Sequence, residues 1–382
     1  MKILSIETSC DETALAILEA SGGDSNPRFN IISSSINSQI DIHKEFGGVF
    51  PALAKRAHAD NFIHLLQEVF GNSLKEEKSK LSDETKEEVV NLLSREEGLS
   101  EKLISYIETH EKPDIDLIAI TSGPGLEPAL WVGINAARAL SLMWNIPVLP
   151  VNHMEGHITS VLLEPNINVE FPAISLLISG GHTELIKISK WGEYEILGRT
   201  LDDAIGEAYD KVARMIDIPY PGGPEISMRA NKLRKDGVTP QFEFPRPMLH
   251  SKDLNFSFSG IKTSVLYKIQ ELREMNDDTK DQIAYSFEEA VVEVIIKKTK
   301  DALGLIGAKS LIVGGGVIAN TYIRESLKKA CDELGVSIYL PEKELSTDNA
   351  IMIGAAGYLK SFRAKAAVNP EIKADGNWRV DS

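Results

Sequence analysis

Two distant stretches of the chain carry the same plan, and that duplication limits the fold more than any other feature. Residues 2–18 (KILSIETSCDETALAIL) are an apolar run, a polar turn ending in Thr13 and a second apolar run. Residues 173–189 (AISLLISGGHTELIKIS) repeat it, with the turn ending in Thr183. Each predicts a β-hairpin. A further strand and helical stretches follow each one, at 30–36 then 51–70 and at 194–198 then 203–216. A unit used twice in this way predicts an α/β protein with two similar lobes facing a central cleft.

Further strands are expected at 115–121 and 309–313, each entering a glycine-rich turn, and a last helix at 347–362 with Ser346 or Thr347 as its N-cap. Residues 1–152 are then the first lobe, completed by 346–362, residues 153–345 the second, and residues 363–382 a loosely ordered tail. Residues 73–113 stand apart as a charged insert. Their apolar positions (Val89, Leu92, Leu93, Leu99, Leu103, Ile107) recur at helical spacing among many acids and lysines, which predicts one or two solvated helices.

Charge and cysteine usage bound the function. A net charge of −15 argues against a dedicated nucleic-acid coat while leaving room for a local basic patch. The two cysteines, Cys10 and Cys331, form no CxxC pair, so a disulfide framework or cysteine zinc knuckle is excluded and a reducing interior fits. The first residues read as a strand rather than a leader peptide, and no apolar run reaches the length of a membrane span. A cytoplasmic protein is expected.

The chemistry begins at VNHMEGHI (151–158), where His153 and His157 stand four positions apart. On a helix such residues differ by about 40° in direction, so both imidazoles can serve one metal ion. They can equally be ordinary core or surface histidines. A zincin would need glutamate directly after the first histidine, but Met154 stands there and Glu155 points away. A third ligand must come from elsewhere; Asp348 is a candidate, unless it serves only as a helix cap. ISGGHT (178–183) and GGGVIAN (314–320) are glycine-rich turns after apolar strands, suited to an anion, although neither is a Walker loop. YPGGPEIS (220–227) is either a further wall or a proline-fixed turn. In TLDDAIGEAYDKVARMI (200–216), Asp203, Glu207 and Asp210 share one face with Arg214, arranged for ion pairing or for a ribose or divalent cation. Asp11 and Glu12 occupy the matching turn of the first lobe.

Taken together, these segments resemble the tRNA N6-adenosine threonylcarbamoyltransferase family. IETSCDETALAIL, HKEFGGVFPALAKRAH, TSGPGLEPALWVG, VNHMEGHI, ISGGHTEL, DDAIGEAYDKVARMIDIPYPGGP, NFSFSGIKT, GGGVIAN and STDNAIMIG carry the likeness in order along nearly the whole chain. The resemblance implies an actin-like, sugar-kinase-like ATPase fold of two lobes. It implies His153, His157 and Asp348 as ligands of one divalent metal, Fe2+ or Zn2+. It places a nucleotide ligand, threonylcarbamoyl-AMP or ATP with or without Mg2+, against Leu177, Ile178, Ser179, Gly180, Gly181, Asp210, Gly223 and Asn320.

The implied reaction transfers threonylcarbamoyl from its adenylate to N6 of the adenosine beside the anticodon, in tRNAs that read codons starting with A. Asp11 and Glu12 are candidates to take the proton from the attacking amine. The implied partners are tRNA, a paralogous subunit and a small ATPase, and no membrane. Lys55, Arg56, Arg199, Arg246, Lys252 and Lys262 are candidates for a positive track. Two departures stand out: Ser346 occupies the place of the family's usual cysteine, and the 73–113 insert exceeds the usual connection. A small-molecule kinase of the same superfamily and a nucleotide-binding chaperone-like module are the rival readings.

Overall fold

The computed structural model describes residues 1–77, 80–165, 167–272 and 274–382, and of Asn72 only the backbone. It divides into two compact units: Met1–Asn166 with Asp348–Val380, and Ile167–Thr347.

The first unit opens with β1 (Lys2–Glu7), β2 (Glu12–Ser21) and β3 (Arg28–Ser38), an antiparallel meander. Then come α1 (Ile40–Lys44), α2 (Pro51–Phe70), α3 (Asp83–Leu92), α4 (Leu99–Thr109), β4 (Leu117–Gly123), α5 (Glu127–Trp144), β5 (Val148–Asn152) and α6 (His153–Thr159). β4 pairs parallel to β1, and β5 parallel to β4, giving the order β3-β2-β1-β4-β5.

The second unit repeats this. β6 (Ala173–Ile178), β7 (Thr183–Lys190) and β8 (Glu193–Arg199) form the meander; α7 (Ile205–Met215), α8 (Gly223–Lys235), α9 (Ser259–Glu271) and α10 (Asp277–Ile306) follow; then β9 (Ser310–Gly314), α11 (Thr321–Leu334) and β10 (Ser337–Tyr339). Its order, β10-β9-β6-β7-β8, read from the other edge is that of the first sheet, with β9 and β10 parallel to β6 as β4 and β5 are to β1. The duplication read in the sequence is therefore a duplication of topology. The chain returns to the first unit in α12 (Ala350–Ser361).

Three expectations are corrected. The first boundary lies at 166/167 rather than 152/153, because α6 packs on α12 and both belong to the first unit. The insert is not merely solvated: Val89, Leu93, Leu99, Leu103 and Ile107 are buried in the core formed with α2 and α5. The segment after α12 is pinned along the first unit by main-chain hydrogen bonds, Val148 N–H to Ala367 O (2.7 Å) and Asp375 N–H to Ser122 O (2.9 Å), with Ile372 buried. The insert's residues 78 and 79 lie outside the described residues. Among those described, no helix is long and apolar enough to cross a membrane.

Candidate functional site

Ionisable side chains gather where the parallel strands of the first unit end, a usual location for sites in α/β sheets. Asn152, the last residue of β5, caps α6 by accepting from the N–H groups of Met154 (2.9 Å) and Glu155 (3.3 Å). Helix propagation from that cap brings His153 and His157 together edge to face, with ring centroids 4.7 Å apart. α12 supplies the third group. Gly156 allows the close approach, since a Cβ there would stand 3.0 Å from Ile353 Cδ1 and 3.1 Å from Met352 Cγ. Asp348 precedes Asn349, whose side chain caps α12 by accepting from Met352 N–H (2.9 Å); the cap is thus Asn349, not Ser346 or Thr347.

Asp348 Oδ1 lies 3.1 Å from His157 Nε2 and 3.4 Å from His153 Nε2, and one ligand atom from each of the three residues falls within 4.8 Å of the others. His153 and His157 are buried. The donor set fits a divalent metal: two imidazoles and one carboxylate converge and leave coordination places free.

The outer partner of this cluster is Glu7, which sequence reasoning missed. Its Oε2 lies 3.0 Å from His153 Nδ1 and accepts from Thr121 Oγ1 (2.6 Å), while Oε1 accepts from Ser9 N–H (2.5 Å). A carboxylate on the far nitrogen fixes the tautomer that leaves Nε2 free to ligate. The signal available in the sequence was a lone acid closing an apolar strand.

The charges of the cluster act strongly on one another. Burial opposes a charged His153, yet Asp348 and then Glu7 hold its imidazole well above the usual range. Lost solvation likewise opposes a charged Asp348, yet His153 and His157 hold it well below the usual range. Burial, then Asp348 and Asp11, push Glu12 up to about 10. Carboxyls thus crowd around two imidazoles, an excess that a cation would relieve. Glu155 is turned to Arg363 (2.8 Å), which removes it from any protease role.

The second unit holds a cavity of about 440 Å3 lined by Gly180, Gly206, Asp210, Gly223 and Asn320 among others. Gly206, at the start of α7, must be glycine, because a Cβ would stand 2.8 Å from Gly180 Cα. Asp210 Oδ1 accepts from the N–H groups of Gly222 (2.7 Å) and Gly223 (3.3 Å), leaving Oδ2 for a ligand, and burial raises its carboxyl. Asn320 caps α11 by accepting from Ile323 N–H (3.1 Å), while Nδ2 donates to the buried Glu288 (2.7 Å).

Other expectations sort differently. Leu177 and Ile178 are fully buried in β6, a central strand covered on both faces, and do not line the cavity. Ser179 and Gly181 flank Gly180 in the turn, where Ser179 Oγ accepts from His182 N–H (3.1 Å). Asp203 and Glu207 bind Lys211 instead (2.7 and 2.8 Å). Ser346 is buried and donates to Lys343 O (2.6 Å). Of the expected basic track, Lys55, Arg246 and Lys262 meet Glu96, Glu293 and Asp203. Arg56, Arg199 and Lys252 enter no ion pair among the described residues.

The chain matches the tRNA N6-adenosine threonylcarbamoyltransferase family over residues 30–81 and 98–355. The unmatched stretch between them contains α3. Proteins bearing that family's name are 40% identical in Nitrosospira multiformis, over 100% of this chain and 98% of that one, and 40% identical in Thermosipho africanus, over 100% of both. In fold, the chain is similar to full-length HypF in its phosphate- and nucleotide-bound form (TM-score 0.55, 12% identity, 94% of this chain and 46% of that one). It is also similar to HypF of T. kodakarensis (TM-score 0.51, 16% identity, 69% and 43%). These likenesses support two actin-like lobes; the chain spans under half of either HypF. Matched in family over most of its length and in sequence from end to end, this chain belongs to the tRNA N6-adenosine threonylcarbamoyltransferases.

Proposed function

We propose that the chain moves a threonylcarbamoyl group from threonylcarbamoyl-AMP to N6 of the adenosine beside the anticodon, in tRNAs reading codons that begin with A. The family is established by the comparisons; the observation that supports this chemistry here is the convergence of His153, His157 and Asp348 within 4.8 Å. The attacking exocyclic amine is a poor nucleophile, so the carbonyl and the leaving phosphate must be activated. A C–N bond forms at the carbamoyl carbon, the C–O bond to phosphate breaks, and AMP departs.

His153 Nε2, His157 Nε2 and an oxygen of Asp348 would hold one divalent ion, iron or zinc, which supplies Lewis acidity toward substrate oxygens when bound. Glu7 keeps His153 oriented through Nδ1. In the second unit, the Ser179–Gly181 turn would give backbone N–H groups to the adenylate, Asp210 Oδ2 would accept from ribose hydroxyls, and Asn320 would bound the nucleotide, with or without Mg2+. Asp11 and Glu12, at the turn between β1 and β2, are the candidates to accept the amine proton.

With tRNA as substrate the enzyme works in the cytoplasm. Arg56, Arg199 and Lys252 would meet phosphate, and a paralogous subunit and a small ATPase would complete the machinery. The kinase and chaperone-like readings are not favoured by the family match. The test is metal analysis of the purified protein joined to nucleoside mass spectrometry of tRNA from depleted cells. Loss of the modified adenosine on depletion is expected; unchanged tRNA overturns the reading.

A further inference from the structure

Two phenylalanines stand out in the first unit. Phe46 and Phe50 are 57% and 50% exposed, and their rings stack on each other with centroids 5.8 Å apart and planes 29° from parallel. Neither belongs to the hydrophobic core. The loop between them turns through Gly47 (φ 67°) and Gly48 (φ 153°), conformations that glycine alone adopts readily.

This loop is anchored by a buried chain of hydrogen bonds whose direction is determined at both ends. Phe50 N–H can only donate, so His43 Nδ1 accepts (3.3 Å) and His43 Nε2 donates to Gln39 Oε1 (3.3 Å). Gln39 Nε2 then donates to His58 Nδ1 (3.3 Å), and His58 Nε2 donates to the Cys10 carbonyl (3.0 Å). The Cys10 carbonyl can only accept, which gives His58 the same tautomer independently. Thr13 Oγ1 also reaches His58 Nδ1 (2.7 Å), and Gln39 N–H donates to Asp11 O (2.9 Å). His43, Gln39 and His58 are all buried. The chain ends on the 10–13 turn, whose Cys10 and Glu12 feel the charge of Asp348. The exposed aromatics are thus tied, through three buried side chains, to the turn beside the proposed metal ligands.

We propose that Phe46 and Phe50 form a stacking platform for an unstacked base of the tRNA anticodon loop, held in register with the metal-binding cluster by the His43–Gln39–His58 chain. The proposal rests on the functional reading above, and names how that substrate is gripped. An adenine whose N6 is to be attacked must leave its stack, and aromatic faces replace the stacking that it or its neighbour loses. A base offers flat π-faces to a ring pair. The exposed Arg56 on α2, whose N-cap is Phe50, enters no ion pair among the described residues and adds a cation for the backbone. A protein partner held by the same patch would instead need only its apolar area.

That contrast sets the test. The full-length enzyme, with whatever partner proteins its activity requires, is assayed on an anticodon stem-loop carrying 2-aminopurine next to the target adenosine. Wild type should quench the probe on binding. The double variant Phe46→Leu/Phe50→Leu keeps apolar area but removes the rings; it should lose the quench and raise KM for tRNA about tenfold, with kcat, metal content and adenylate affinity retained. Phe46→Tyr/Phe50→Tyr should restore both. Unchanged KM and quench in the leucine variant overturn the platform. So does a loss confined to alanine variants and matched by weaker partner binding, which would make the patch a protein contact. If wild type itself modifies no tRNA, the functional reading has failed instead.

Discussion

The two units share one sheet order but finish their first strands with opposite chemistry. β1 ends in Glu7, which orients His153, and β5, the strand beyond β4, leads directly into the histidine-bearing α6. β6 ends in Ile178 and gives way to Ser179-Gly180-Gly181, where the useful groups are backbone amides. One site is built from ionisable side chains, with His153 held by a second hydrogen bond to Glu7, the other from glycine, main chain and a single latched carboxylate. A duplicated scaffold thus leaves the position of a site unchanged and lets the few residues beyond the strand choose its chemistry. The side-chain site should be sensitive to the loss of any donor. The backbone site should respond chiefly to changes at Asp210 or to any Cβ added at Gly206.

The largest effect tests that contrast. His157→Ala removes one of three donors and should abolish stoichiometric metal binding and lower tRNA modification by about a thousandfold or more, with the melting temperature nearly unchanged. Metal analysis and single-turnover modification assays measure both; full activity in metal-free protein would break the side-chain half of the comparison. Next, Asp210→Ala removes the ribose acceptor and unlatches Gly222 and Gly223, and should weaken adenylate binding by about a hundredfold. Calorimetry measures this, and metal content should stay at the wild-type level. A simultaneous loss of metal would mean that the two sites are not independent.

A smaller change separates ligand from support. Glu7→Gln keeps the shape beside His153 Nδ1 but lowers the basicity conferred on the ring, so metal affinity should fall by about ten- to thirtyfold in chelator competition. An unchanged affinity would show that the packing of α6 alone orients His153.

Much of this was legible because it is written in patterns that act locally. The hairpins at both ends of the duplication follow from alternating runs and turn residues, and the pairing of His153 with His157 follows from helical spacing. Asp348 could be offered from the residues only as one candidate ligand, with a helix cap as the other reading, because a spatial neighbour 191 positions from His157 leaves no periodic trace. Glu7 was missed since one acid at a strand end looks like a solvated terminus until β4 and β5 surround it. The helices of the insert were misjudged because exposed acids outnumber the apolar positions, such as Val89 and Leu103, that reach the core. The order of the C-terminal segment comes from main-chain bonds such as Asp375 N–H to Ser122 O, which no side-chain pattern encodes.

The smallest effect concerns a histidine of the first unit that should behave unlike His153 and His157. His58 sits on α2 against the Cys10 carbonyl, Thr13 and Gln39, within reach of the charges of Glu7 and His43. Burial lowers its pKa from 6.5 to about 4, the Cys10 carbonyl only partly opposing this. Between those values the unfolded chain binds a proton that the native chain refuses. Stability is therefore fully present above pH 6.5 and falls as the pH drops toward 4, by about 3 kcal/mol over the whole window but only about 0.7 kcal/mol between pH 7 and 6. His58→Gln should be less stable at every pH, yet its stability should depend less steeply on pH across this window, as urea titrations at stepped pH can read. Equal slopes would mean that native His58 takes up its proton as readily as the unfolded chain does, with Nδ1 no longer acting as the acceptor of Gln39 and Thr13. Adding metal should leave the His58 slope untouched, because this imidazole serves the fold while its counterparts on α6 serve the ion.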